Sequence, residues 1–339
     1  MHERRITQID IPGRSVTTPA LGFGCSSLTG TSRSNADRVL ETAFDAGVRH
    51  FDVARYYGYG EAEGILGRFL KRRRSQVTIT TKFGIEPPRR TTALGFALGV
   101  GRQVVRLLPA ARGVLQRRAL SLVTGGAFSL QQAQSSLETS LRELSTDHID
   151  FYLLHDYIVS EQPSDELLAF LENSVKVGKI GSFGVGTSFE NVLQVLERQP
   201  QLCSVVQFPN SVLTRNIERL PRGDSLRLVI THGALGGSYL SLLRFLKSCR
   251  DLANEWAARL GCPCLDDDTL SSLMLNYAAH ANQNGPVLFS SRDPARVRRN
   301  ASAILESQYS AAQTTAFAKL VERESAAIMA SDRWKKSST

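Results

Sequence analysis

The sequence of 339 residues predicts a closed (β/α)8 barrel, the TIM-barrel fold. Eight short apolar runs of strand length alternate with segments whose apolar residues recur at helical spacing. Buried strands that alternate with helices imply a parallel sheet, and eight such units in about 300 residues suit a barrel better than a doubly wound sheet. The active site of such a barrel lies at the carboxyl ends of its strands. Polar residues occupy several of these ends, namely Asp52, Lys82, His155, Gln207 and Ser291.

The first elements precede this chemistry. Residues 4–18 alternate in polarity around Pro12-Gly13, which predicts an N-terminal hairpin that caps one end of the barrel. Leu21–Gly24 is a short apolar strand that delivers Cys25 and Ser26. Ser34 is expected to cap the next helix, which Gly47 ends. The buried face of that helix is expected to hold Ala36, Val39, Leu40 and Ala43.

The next unit joins an acid, a tyrosine and a lysine. A strand over Val48–Phe51 delivers Asp52, and Tyr57 follows in a glycine-containing turn. A helix and a second strand, Val77–Thr81, then lead to Lys82. Because neighbouring parallel strands end at the same mouth of the sheet, these three side chains are expected to meet there. A buried lysine would lower the pKa of the tyrosine, and the aspartate would keep the lysine charged.

Residues 85–128 form an arginine-rich segment inserted after the third strand. Seven arginines and no acidic residue fall in residues 87–128. We expect an ordinary solvated insertion over the open face of the domain, in the position of a lid. A role at a membrane surface or toward an acidic partner is the alternative.

The remaining units follow in regular order. Ser129 and Gln132 form a predicted capping box, and the apolar run Ile149–Leu154 ends at His155. One long helix is expected to run to about Leu260, and a C-terminal helix and polar tail occupy 314–339. We assign residues 1–339 to a single domain. The further strands are expected at 180–186, 203–208, 226–231 and 287–289, and further helices at 163–177, around 192–196 and from 293.

Composition excludes several other classes of protein. No apolar run reaches the 18 residues of a membrane span, and the net charge of +9 is not gathered into a nucleic-acid-binding patch. Five scattered cysteines argue against a disulfide framework and indicate a reducing, cytoplasmic compartment. Cys262 and Cys264 lack the spacing of a zinc site, so we expect a site without metal.

The order Asp52-x-Ala54-x-x-Tyr57-Gly58, Thr81-Lys82 and Asp150 to His155 resembles the aldo-keto reductase superfamily, from about Leu21 to Asn300. The resemblance implies that Tyr57 is the general acid/base and that Lys82 and Asp52 tune its pKa. It also implies that His155 positions the substrate oxygen. The His155-Asp156 pair is most similar to the aldose and galactose dehydrogenase-like branch.

The resemblance also implies a nicotinamide cofactor. Its nicotinamide would contact Asp52 and the segment from Gly24 to Ser26, and Gln207 would hold the carboxamide together with a hydroxyl of Thr187 or Ser188. The adenosine phosphate would lie against the residues after the eighth strand, where Arg296 favours NADP(H) over NAD(H). The aromatic side chain that the family usually stacks on the nicotinamide is missing at Thr231–Gly236. The nucleotide-gripping residues implied are Ser291, Arg292, Arg296 and Asn300.

The resulting expectation is an NAD(P)H-dependent oxidoreductase that interconverts an alcohol and an aldehyde, ketone or sugar lactol. Its partners would be a small carbonyl or sugar substrate, without nucleic acid or a membrane span, and the protein would be a monomer or weak oligomer. The alternative is a cofactor-binding regulatory barrel subunit with little turnover. Substrate and physiological direction stay open at this point.

Overall fold

A computed structural model describes residues 20–87, 124–125, 128–159, 162–221 and 227–336. Eight parallel strands close into a barrel in which each strand pairs with its neighbours in chain order and the eighth pairs with the first. The predicted (β/α)8 fold is therefore confirmed. The strands are β1 Leu21–Gly24, β2 His50–Asp52, β3 Thr78–Phe83, β4 Ile149–His155, β5 Ile180–Gly186, β6 Val205–Pro209, β7 Leu228–His232 and β8 Val287–Phe289.

Helices cover the outside of this barrel in the described ranges. Among them, α2 packs closely on α3, and a Cβ added at Gly67 would overlap the backbone of Glu143. The helices are α1 Arg33–Asp45, α2 Ala62–Leu70, α3 Leu130–Leu144, α4 Asp165–Lys176, α5 Phe189–Arg198, α6 Gly237–Ser248, α7 Arg250–Leu260, α8 Asp267–Ala281, α9 Pro294–Leu305, α10 Ala311–Arg323 and α11 Ser325–Lys336.

Two helix starts differ from the sequence prediction. The cap of α1 is Ser32, whose hydroxyl accepts from the Asn35 amide, while Ser34 lies inside the first turn. Ser129 caps α3 as expected, but only half of the capping box forms, because Gln132 Oε1 has no hydrogen-bond partner in the described part of the chain. Serines two residues apart fit the same cap pattern, so local sequence does not choose between them.

The C-terminal third holds the larger differences. The expected long helix is wrong, since Cys249 adopts a non-helical conformation and separates α6 from α7. The helix α8 was not predicted. At the C-terminus, helix continues through α11 to Lys336, into the segment expected to form the polar end.

The core comprises three apolar groups. Inside the barrel lies a small apolar group, and between the strands and helices lies the large one. A third group joins the C-terminal helices, with Trp256 and Phe317 in edge-to-face contact. The group inside the barrel consists of Phe151, Leu153, Val205, Leu228, Ile230 and Leu288.

The predicted insertion begins at the expected place. Ile85–Glu86 and Thr124–Gly125 pair as short antiparallel strands directly after β3. The predicted hairpin at 4–18 and most of the arginine-rich segment lie outside the described residues. Within the described ranges, no helix combines the length and the apolar character that crossing a membrane requires.

Candidate active site

A buried ion pair lies where β2 and β3 end. Lys82 Nζ lies 2.7 Å from each carboxylate oxygen of Asp52 and 3.1 Å from the Val53 carbonyl oxygen. Both side chains are 3% exposed. Burial alone would lower the pKa of Lys82, but the Asp52 carboxylate and Tyr57 together outweigh it and raise the pKa above its usual value. Lys82 is therefore a charged ammonium at neutral pH.

Tyr57 approaches this ammonium from a tight turn. The turn spans Tyr57–Gly60, and both Gly58 and Tyr59 have left-handed backbones, with φ of 59° and 58°. The Tyr57 hydroxyl lies 3.5 Å from Lys82 Nζ. Burial raises the pKa of Tyr57, and the charge of Lys82 opposes this without cancelling it. Lys82 lowers this pKa as expected, but the net pKa of Tyr57 is raised, because removing the phenolate from water outweighs a cation at that distance.

His155 completes the group from the end of β4. Its ring packs edge-on against Tyr57, with 5.9 Å between the ring centroids. Burial, assisted by Lys82, lowers the pKa of His155 to about 3. His155 Nδ1 is buried and has no hydrogen-bond partner among the described residues. A neutral imidazole therefore faces Tyr57 with unused hydrogen-bonding capacity.

These four side chains line one cavity of roughly 550 Å³ at the carboxyl end of the barrel. Strand register explains why they meet, since Gly24 pairs with Asp52, and Gly186 pairs with both His155 and Gln207. Cys25, a predicted cofactor contact, does not line the cavity. Its side chain is fully buried, and burial raises the pKa of its thiol. Of the other predicted cofactor contacts, the cavity is also lined by Gly24, Ser26, Thr187, Ser188 and Gln207.

Gln207 provides the observation that fits a nicotinamide carboxamide. Its Nε2 donates to Asp52 Oδ2 at 2.9 Å. Its Oε1 is buried without a partner in the described chain, and a Cβ added at Gly186 would come within 3.2 Å of it. A carboxamide N–H reaching this wall would satisfy the orphaned oxygen. The missing side chain at Gly186 leaves that wall open.

The hydroxyls of Thr187 and Ser188 are already used within the protein. Thr187 Oγ1 donates to the Tyr157 carbonyl oxygen at 3.0 Å. Ser188 Oγ caps α5 by accepting from the Asn191 amide at 3.2 Å. Both residues line the cavity, and a contact of either hydroxyl with a carboxamide stays a prediction.

The four predicted nucleotide-gripping residues after β8 do not line this cavity. Ser291 Oγ accepts from the Asp293 amide, and Arg292 donates to the Gly30 carbonyl oxygen at 3.0 Å. Arg296 is exposed on α9, and Asn300 is buried beside a separate polar groove between α8 and α9. Their contact with a nucleotide stays a prediction.

Sequence analysis missed a second buried acid. Glu63 is fully buried and accepts hydrogen bonds from Thr81 at 2.7 Å, Ser140 at 2.7 Å and Arg55 at 2.8 Å. A signal existed, because Glu63 shares a helical face with Leu66 and Leu70, three and seven residues later. Asp156 and His232 were also not assigned to the site, although both line the cavity. They follow or end the strands β4 and β7.

Comparison with known proteins identifies the family of the chain. The sequence model of the Aldo/keto reductase family matches residues 20–222, more than half of the chain. The chain is 28% identical over 252 residues to an NADP(+) aldo-keto reductase of Schizosaccharomyces pombe, covering 69% of this chain and 64% of that protein. It is 29% identical over 203 residues to a D-threo-aldose 1-dehydrogenase of a Pseudomonas species, covering 54% of each. The matches thus span less than two thirds of these relatives.

A solved structure extends the likeness to nearly the whole fold. An aldo-keto reductase from Klebsiella pneumoniae in complex with NADPH superposes with a TM-score of 0.63 over 93% of this chain and 94% of that one, at 20% identity. That degree of identity shows the shared barrel alone. The family match ends before β7, so the residues after β8 lie outside it. On the extent of the family match, the chain belongs to the aldo/keto reductase family.

Proposed function

We propose that this protein is an NADP(H)-dependent oxidoreductase that interconverts a carbonyl and an alcohol. The observation that carries the proposal is the Lys82 ammonium, held by Asp52 and directed at the Tyr57 hydroxyl on the wall of the cavity. A cation beside a buried phenol stabilises the phenolate that remains after the phenol gives up its proton. This is the arrangement that a general acid/base needs.

Each residue has one task in this proposal. Tyr57 donates its hydroxyl proton to a carbonyl oxygen, or takes the proton back from an alcohol. Lys82 stabilises the phenolate, and Asp52 keeps Lys82 charged and in place. The neutral His155 donates a ring N–H to the same oxygen and sets its position.

The cofactor would be held by other residues that line the same cavity. Gln207 Oε1 would accept from the carboxamide, with Gly24 and Ser26 beside the ring. When bound, a nicotinamide supplies the hydride that the side chains cannot. The exposed guanidinium of Arg296 suits a 2′-phosphate, and the yeast relative and the Klebsiella structure carry NADP(+) and NADPH in their names. We therefore favour NADP(H) over NAD(H).

Cofactor binding and turnover test the proposal separately. The purified chain is titrated with NADPH and NADH by fluorescence, and nicotinamide absorbance is followed with a panel of aldehydes and sugars. We expect tighter binding of NADPH and a fall in kcat of about 100- to 10,000-fold in Tyr57→Phe, with cofactor binding intact. Failure to bind either nucleotide would overturn the proposal.

A cofactor-binding regulatory barrel with little turnover is the second candidate. It is favoured by one observation, that Arg292 and Arg296 do not line the cavity. It predicts NADPH binding without reduction of any carbonyl in the panel, and the same partner affinity in wild type and Tyr57→Phe.

Three further assignments belong to the proposal. The continuous apolar layer around the barrel supports a single domain. All five cysteines are free thiols, which suits a reducing cytoplasm. The dehydrogenase relative supports a sugar lactol or small aldehyde as substrate.

A further inference from the structure

The charged side chains that line the cavity leave one negative charge without a compensating positive charge in the described lining. Asp52 and Lys82 neutralise each other at 2.7 Å. The two lining histidines, His155 and His232, have pKa values lowered by burial and are neutral at pH 7. The remaining charged group in the described lining is the carboxylate of Asp156. The cavity therefore carries a net negative charge on its described wall.

The backbone holds Asp156 in one position. It follows the end of β4 with a left-handed φ of 52°, a conformation that Asp and Asn adopt more readily than most residues. Its amide donates to the Gly186 carbonyl oxygen at 2.8 Å. The next residue, Tyr157, is fully buried, with its hydroxyl donating to Gln199 Oε1 at 2.7 Å. The carboxylate is therefore presented by an anchored turn.

The side chain of Asp156 has no partner among the residues that the structure describes. It is exposed and makes no hydrogen bond or ion pair with any residue in the described ranges. It lines the same cavity as Tyr57, and its charge is among the groups that raise the pKa of Tyr57, after burial and Asp52. An unpaired carboxylate beside a reaction centre can accept hydrogen bonds from a bound molecule and repels anions.

We propose that Asp156 is a specificity-determining residue that accepts a hydrogen bond from a hydroxyl of the substrate and excludes carbonyl compounds that bear a carboxylate. The inference rests on the proposed oxidoreductase function of the same cavity. The substrate class is accordingly a neutral, hydroxylated carbonyl compound. A hydrogen bond to a charged group separates a substrate from its deoxy analogue by roughly 10- to 100-fold.

The test uses the full chain with NADPH and two matched pairs of aldehydes. Glyceraldehyde against propanal reports the hydroxyl, and 4-oxobutanoate against butanal reports the carboxylate. Asp156→Asn keeps a side chain suited to the left-handed backbone and removes the charge. The control Glu166→Gln removes a carboxylate from the exposed first turn of α4, away from the cavity lining.

We expect wild type to favour glyceraldehyde over propanal in kcat/KM and to disfavour 4-oxobutanoate against butanal. In Asp156→Asn the first ratio should fall about 10-fold and the second should rise about 10-fold. Glu166→Gln should match wild type. Equal ratios in wild type and Asp156→Asn would overturn the inference.

A second measurement separates this inference from the proposed function. Saturation-transfer NMR detects binding of glyceraldehyde and propanal to Tyr57→Phe in the presence of NADPH. Glyceraldehyde contact that is lost in Tyr57→Phe/Asp156→Asn supports the role of Asp156 even where no aldehyde is turned over. Contact that is unchanged by the second substitution overturns that role, whatever the turnover of the wild type.

Discussion

Two buried carboxylates, those of Asp52 and Glu63, lie on either side of Tyr57 in the sequence. They differ in where their hydrogen-bond donors lie. Asp52 is 2% exposed and Glu63 is 0% exposed. The donors to Asp52, which are Lys82 and Gln207, both line the cavity. The three side chains that donate to Glu63 lie outside the cavity lining, on β3, α3 and the turn before Tyr57. Burial of an acid therefore does not mark an active site.

The Glu63 cluster has a structural consequence for the site. One carboxylate joins Thr81, the neighbour of Lys82, to Arg55, which precedes Tyr57 by two residues. Ser140 adds α3 to the same anchor. We infer that Asp52 and its donors, the Asp52 cluster, take part in proton transfer. Glu63 and its donors, the Glu63 cluster, fix the position of the end of β3 relative to the turn that carries Tyr57. Four measurements test this division.

The largest effect is expected from Lys82→Met. The cation that stabilises the Tyr57 phenolate is lost, and Asp52 is left buried without its partner. Turnover should fall about 1,000-fold. Steady-state kinetics measure it, with circular dichroism as a check of folding and the exposed Lys179→Met as the matched control. Retention of more than a tenth of the activity would contradict the division.

Glu63→Ala should act mainly on stability. Its removal leaves the Arg55 guanidinium, whose side chain is 12% exposed, without a counter-charge. We expect a loss of about 3 kcal/mol in the free energy of unfolding, measured by urea denaturation. The folded fraction should keep kcat within a few-fold of wild type. Unchanged stability with a large loss of kcat would place Glu63 in the chemical machinery and break the comparison.

Lowering the pH should reduce the stability of the folded protein through His50, which lies two residues before Asp52 on the same strand. His50 is buried between the hydroxyls of Thr78 and Thr80, and burial lowers its pKa to about 4. The unfolded chain binds this proton below about pH 6.5, whereas the folded chain resists it down to about 4, so stability falls as pH falls through that window.

The size of this effect is measurable in a variant. Between pH 7 and pH 5 His50 should account for roughly 2 kcal/mol of lost stability. His50→Gln should remove that share of the pH dependence in urea denaturation at the two pH values. An identical pH dependence in wild type and variant would show that His50 is not held neutral.

The smallest effects come from removing one donor from each carboxylate. Thr81→Val deletes the hydroxyl that donates to Glu63 and should cost about 1 kcal/mol of stability, with little change in NADPH affinity. Gln207→Met deletes the amide that donates to Asp52 and should weaken NADPH binding at least as much as it lowers stability. Fluorescence titration and urea denaturation of both variants distinguish the two clusters. Weaker NADPH binding in Thr81→Val together with a loss of stability alone in Gln207→Met would contradict the roles given to the two carboxylates.

Much of the fold was predictable because its signals are local. Strand-length apolar runs, the buried face of α1 and the start of α9 near residue 293 each depend on residues within a few positions of one another. The helix α8 escaped because it is buried on most sides, with Leu270, Met274 and Tyr277 all inside, and lacks the polar stripe of a surface helix. Contacts with α9 and α10 provide that burial.

The sequence by itself determined the barrel and the order of Asp52, Tyr57 and Lys82, since period and strand-end position follow from neighbours along the chain. Only the tertiary structure decided which acids meet which donors. Gln207 reaches Asp52 across 155 positions, Ser140 reaches Glu63 across 77, and the four nucleotide-gripping residues predicted after β8 do not line the cavity. Such pairings depend on strand register and helix packing, which bring together residues that no local pattern connects.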